Sequence, residues 1–102
     1  VDTADATGRT ALMYASTGPN PETVEMLIGQ GANVNSVDKG EGWTALMFAA
    51  AEGHRTVVDC LLPHGADASV SDVDNDTAES FAWQRGHIEI AQMLHQRSSM
   101  LT

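Results

Sequence analysis

Thr44-Ala45-Leu46-Met47 opens a block that stands three times in this chain. Its other copies are Thr10-Ala11-Leu12-Met13 and Thr77-Ala78-Glu79-Ser80. The first two threonines are 34 residues apart and the last two 33. A period in the thirties belongs to a solenoid of one small supersecondary unit, in which each copy buries its apolar face against its neighbours. Such a stack offers a surface rather than a central catalytic pocket, so the period points to binding.

The register extends past the threonines. Nine residues after each stands Pro19, Gly53 or Gly86, followed by Asn20, His54 or His87. Apolar stretches follow: Val24-Met26-Leu27-Ile28, Val57-Val58-Leu61-Leu62 and Ile90-Ala91-Met93-Leu94. Gly31-Ala32-Asn33 and Gly65-Ala66-Asp67 close the first two units. Asp5, Asp38 and Asp72 precede the three threonines by five, six and five residues.

The run Gly42-Trp43-Thr44-Ala45-Leu46-Met47, through Ala49-Ala50 and Gly53-His54 to Leu61-Leu62 and Gly65-Ala66-Asp67, resembles an ankyrin repeat. Ala45 and Met47 stand where that family usually has Pro and His. The resemblance covers nearly the whole chain, in register. It implies an all-α ankyrin-repeat solenoid of stacked helix-turn-helix units with short finger loops between them. The single domain spans 1–102, with repeat 1 at about 5–37, repeat 2 at about 38–71 and a C-capping repeat at about 72–102. Residues 1–4 read as the tail of a preceding repeat, because Val1-Asp2-Thr3-Ala4-Asp5 aligns with Val34-Asn35-Ser36-Val37-Asp38. A fragment of a longer array is therefore expected, and a naturally short N-terminal turn is the alternative.

Local chemistry supports paired helices. Thr10 and Thr44 suit the N-cap, where a hydroxyl accepts an orphan amide N–H. Asn20 is a cap followed by Pro21 at the first helical position and Glu22 at the positive end of the helix dipole. Pro63 breaks the second helix of the middle unit. Gly31 and Gly65 suit the left-handed residue beyond a helix end. Gly8 and Gly42 suit a left-handed finger position, with Asn75 as the tolerated substitute. In the third unit Glu79, Ser80 and Trp83 replace Leu, Met and a small residue (Ser16, Ala50), and Ser98-Ser99 stand in place of Gly-Ala. Polar replacements at a stacking position fit a terminal cap.

Little in the chain suggests a reaction. Asp72-Val73-Asp74-Asn75-Asp76 spaces acids as a calcium loop does, but Thr77 and Trp83 stand where an EF-hand needs Gly and Glu. The segment is also in register with two other loops. No pair among His54, His64, His87 and His95 has the i, i+4 spacing of a helical zinc motif. The resemblance implies that His54 and His87 tie their turns together by hydrogen bonds. Cys60 is alone, which excludes an intrachain disulfide and fits a reducing, cytoplasmic compartment. No base is placed to make its thiol catalytic. Catalytic and metal residues, cofactor binding and enzymatic activity are not expected. A catalytic or metal-dependent role grafted on the array, or a passive spacer in a larger protein, are the alternatives to a binding module.

Five basic residues face fourteen acids, for a net charge of −9. That balance repels nucleic acid and anionic membrane. It favours a protein partner with basic segments, or it serves solubility alone. A monomer is expected. The family resemblance implies a partner-binding surface of finger tips and the concave face of the first helices, which maps onto Arg9, Lys39, Glu41, Trp43, Glu52, Asp74, Asp76 and Arg85, with Ala6, Thr7, Ala51, Val73 and Gln84 beside them. Trp43 is the expected anchor, an exposed-type indole among charged residues. Its alternative is to lie flat over the extra residue in Lys39-Gly40-Glu41-Gly42. Trp83 is the second candidate, with a lid on the cap as its alternative.

Overall fold

The computed structural model describes residues 3–100, with side chains through residue 96. Six α-helices run in antiparallel pairs among them: α1 Ala11–Ser16 with α2 Pro21–Gly29, α3 Ala45–Glu52 with α4 Arg55–Leu61, and α5 Ala78–Gln84 with α6 Ile88–Met100. A 3-10 turn, Leu62–His64, carries Pro63 and extends α4. The first helices pack side by side, α1 on α3 and α3 on α5, and α2 packs on α4 behind them. Among the described residues the β pairing is one isolated antiparallel bridge, Ala4 with Thr10. No helix among them is long and apolar enough to cross a membrane.

The threonines start the first helices as expected. Thr10 Oγ1 accepts the Met13 N–H at 3.4 Å, and Thr44 Oγ1 accepts that of Met47 at 3.3 Å. The methionines close the box: Met13 Sδ accepts the Thr10 N–H at 3.4 Å and Met47 Sδ that of Thr44 at 3.5 Å. A thioether thus performs the reciprocal capping usually given to Glu or Gln. Thr77 accepts from Ser80 at 3.3 Å. Asn20 Oδ1 accepts from Glu22 at 3.0 Å, with Pro21 at the first helical position.

The middle unit is buried on both sides. Every residue of α3 from Ala45 to Ala51 is buried, and Val57, Val58, Cys60 and Leu61 of α4 join them. Leu12, Val24, Phe81, Ile90 and Leu94 extend the same core into the outer units. The alanines let α1, α3 and α5 approach closely. Ala51, expected on the exposed face, is one of these packing residues. The third unit departs where its sequence does: Glu79 is half-buried at the Leu position, and Trp83 is 46% exposed where Ser16 and Ala50 are 0%. Ser98 and Ser99 lie within α6, which runs on where the other units turn. Their side chains, like Val1 and Asp2, lie outside the described residues.

Candidate partner-binding surface

Each finger is built by an aspartate. The Asp5 N–H donates to the Arg9 carbonyl at 3.1 Å, Asp38 to Trp43 at 3.1 Å and Asp72 to Asp76 at 2.8 Å, which closes three hairpin-like loops. The Oδ1 of each aspartate then accepts amides inside its own loop: Thr7 and Arg9 onto Asp5, Glu41 and Trp43 onto Asp38, Asp74 and Asp76 onto Asp72. A carboxylate that gathers backbone N–H groups replaces the ladder that so short a loop cannot form. The middle finger holds one residue more, and the same device absorbs it.

The fingers are joined to one another. The Lys39 N–H donates to the Thr7 carbonyl at 2.9 Å and the Val73 N–H to the Glu41 carbonyl at 3.0 Å. Gly8 makes the first of these bonds possible. Its φ is 80°, and a Cβ there would sit 2.7 Å from the Lys39 amide nitrogen. Gly42 and Asn75 take the same left-handed geometry in the other fingers, at φ 72° and 69°.

A second bond crosses each junction. Arg9 Nε donates to Asp38 Oδ2 at 3.4 Å, and its guanidinium carbon lies 5.2 Å from the Phe48 ring centroid. Trp43 Nε1 donates to Asp72 Oδ2 at 2.9 Å, with its ring 5.0 Å from Phe48 and 4.7 Å from Phe81. Arg9 and Trp43 occupy one register position, just before the helix-capping threonine, and both reach forward into the next unit. The expectation that Trp43 presents an exposed ring is therefore corrected: it is half-buried in the junction. Neither does it lie flat over the extra finger residue, because Asp72 accepts its N–H and its ring packs at a steep angle against Phe48 and Phe81.

The remaining expected residues divide accordingly. Lys39, Glu41, Glu52, Asp74 and Arg85 are exposed. Arg9 and Asp76 are half-buried, Arg9 on Asp38 and Asp76 accepting the Gln84 side-chain N–H at 3.1 Å. Trp83 donates its indole N–H to Glu79 at 3.1 Å, and His95 lies 3.3 Å from the same carboxylate.

The two in-register histidines act between units. His54 Nε2 lies 3.0 Å from the Thr17 carbonyl and His87 Nε2 3.1 Å from that of Ala51. A carbonyl only accepts, so Nε2 carries the proton in both. On the opposite side Asn35 donates to the Gly65 carbonyl and accepts from the Asp67 N–H, at 3.0 and 2.8 Å. Sequence reasoning passes over Asn35 and over Tyr14, whose hydroxyl donates to Asp5 Oδ2. Hydrogen bonds from the Thr7 and Tyr14 hydroxyls hold the Asp5 carboxyl well below the usual carboxylate range, and its bond pushes the Tyr14 phenol up. Ser69 lowers Asp67 in the same way. Burial, followed by the nearby Glu25 carboxylate, pushes the Cys60 thiol up, away from the reactive thiolate. Among the described residues no three His, Cys, Asp or Glu side chains gather as a metal site.

The model of three consecutive ankyrin repeats matches the chain over residues 12–100. The chain belongs to the ankyrin-repeat family. No curated protein matches it. Ankyrin repeats are generally protein–protein interaction modules and typically lack enzymatic activity. In this ankyrin array the position usually held by His is Met47, whose sulfur does the capping, and the inter-finger bonds set its fingers in one row.

Proposed function

We propose that this ankyrin domain is a non-enzymatic scaffold that binds a protein partner with basic segments through its finger tips and the concave first-helix face. The observation that supports it best is the pair of inter-finger backbone bonds, Thr7 to Lys39 and Glu41 to Val73. They fix three loop tips in one row before any partner arrives, and a preorganised surface loses little entropy on binding. The row presents Lys39, Glu41, Val73 and Asp74, with Glu52 at the end of α3 and Arg85 just past the end of α5 behind. Arg9, Trp43 and Asp76 serve it by holding the fingers in place. The net charge of −9 steers a basic partner in and disfavours nucleic acid and anionic membrane. A monomer in a reducing, cytoplasmic setting fits the lone, buried thiol.

The test is capture of partners by wild type, by a Glu41→Lys/Asp74→Lys variant and by Glu25→Lys on α2, where Glu25 is exposed. Association with the captured partner should slow with added salt and fall in the finger variant alone. A loss confined to Glu25→Lys would move the surface to the second helices.

A further inference from the structure

Few cations stand against the acids of this chain, and the described ones divide in two. Arg9 is paired with Asp38, and Arg55 with Asp59 and Glu89. Lys39 and Arg85 are exposed and make no ion pair among the described residues. Both belong to the surface proposed for the partner. Arg85 stands just past the end of α5, next to Gln84, whose side-chain N–H donates to Asp76 Oδ1 at 3.1 Å. That bond puts the end of α5 on the same face as the third finger. At the tips, the bond from the Val73 N–H to the Glu41 carbonyl sets Glu41 beside Asp74. Lys39 lies on the other side of Glu41, bonded through its backbone to the first finger. The face thus carries two neighbouring carboxylates, flanked by two cations that have no counter-ion. This exposure belongs to the register and not to an end of the stack. Lys39 and Glu41 are on the middle finger, and Glu52, the middle unit's counterpart of Arg85, is exposed with a unit on either side.

We propose that Arg85 determines which basic segment the surface accepts: one that sets a basic side chain over Glu41 and Asp74 and a carboxylate on Arg85, and not one that is basic throughout. This rests on the proposed finger surface and names the segment that fits it. The net charge of −9 draws in any basic chain at long range. Contact is decided at short range. A partner seated on the fingers and the first-helix face covers Arg85, and a covered cation without a counter-ion loses its hydration uncompensated. A second cation laid against it adds repulsion, which is how an interface excludes a wrong partner. A carboxylate there instead meets the planar fork of the guanidinium, which takes both of its oxygens. Lys39 bounds the basic window on the other side in the same way. The spacing follows from α5. Its 7 residues span about 10 Å, which an extended segment covers in about three residues. The segment therefore carries its basic and acidic side chains about three residues apart.

The experiment selects a phage-displayed library of random linear peptides on the full chain and titrates synthetic copies of the peptides obtained. They should pair a lysine or arginine with an aspartate or glutamate about three residues away. Exchanging the peptide's acid for lysine should weaken binding to the wild type at least about tenfold. Arg85→Glu should reverse that preference and bind the exchanged peptide more tightly than the original. Arg85→Gln should bind the two about equally. Peptides basic throughout, held equally by wild type and Arg85→Glu but lost in Glu41→Lys/Asp74→Lys, would overturn the proposal and leave the finger surface standing. Binding lost only in Glu25→Lys would overturn both. Loss of both peptides in Arg85→Glu and in Arg85→Gln, or a library that yields no saturable binder, would overturn the proposal as well.

Discussion

The Trp43 indole N–H donates to the Asp72 carboxylate at 2.9 Å across 29 residues of chain. Asp72 is buried, and its other oxygen already accepts the amides of Asp74 and Asp76. One carboxylate thus shapes the third finger and anchors the second. Arg9 and Asp38 repeat the arrangement one unit earlier.

Trp43 should therefore matter to stability more than to contact with a partner. Trp43→Phe removes the donor and leaves a buried carboxylate oxygen unpaired, at a cost of ~1–3 kcal/mol. Trp43→Ala also loses the packing on Phe48 and Phe81, for ~2–4 kcal/mol in total. Urea unfolding measures both. Shifts below ~0.5 kcal/mol in both variants would show that the indole does not tie the junction.

Leu61 is fully buried in the middle unit, which has neighbours on both sides. Leu61→Ala should cost ~2–5 kcal/mol through lost transfer energy and a cavity. Against a total stability of ~5–15 kcal/mol, that should lower the unfolding midpoint visibly. An unchanged midpoint would contradict the packing described.

Two glycines of similar geometry should respond differently. Gly53 and Gly65 have φ of 80° and 90°. A Cβ on Gly65 meets nothing within 4 Å, whereas one on Gly53 would lie 2.5 Å from the His87 ring. Gly65→Ala should cost ~1–2 kcal/mol for the left-handed backbone alone. Gly53→Ala should cost more, because His87 must also leave the Ala51 carbonyl. Equal losses in denaturant melts would rule out a structural role for the His87 bridge.

The helices and their stacking are legible in the sequence because they rest on local and periodic signals: threonine caps, Pro21 after Asn20, apolar positions in register. So are the left-handed finger positions, since Gly8, Gly42 and Asn75 are the residues that tolerate them. Trp43 is not legible. Its surroundings come from Asp72 and Phe81, distant in sequence, and no local pattern says which way a loop side chain turns. Ala51 fails for a related reason, since α1, α4 and α5 pack against α3 and one helix's own pattern does not reveal them. The aspartates stand nearly in register, each following Arg9 or Trp43 by 29 residues at the two junctions, and that pairing is the signal in the chain for the bonds between units.

Asp5 and Asp67 should titrate below an ordinary aspartate at about 3.9. Both pKa values are depressed in the folded state, so any stabilisation they give is present above the unfolded value and is lost as pH falls through the folded one. Carboxyl carbon shifts followed from pH 6 to pH 2 should show both still ionised at the pH where an ordinary aspartate is half protonated. In Tyr14→Phe the Asp5 value should rise, as one of its two hydroxyl donors is gone. Ordinary titration of Asp5 in the wild type would contradict the Thr7 and Tyr14 bonds.

The most direct test of the finger surface is hydrogen–deuterium exchange of this ankyrin domain, free and with a captured partner. Binding through the fingers predicts added protection at residues 5–9, 38–43 and 72–76 and along α1, α3 and α5, with α2 and α4 unchanged. Protection confined to α2 and α4 would contradict it.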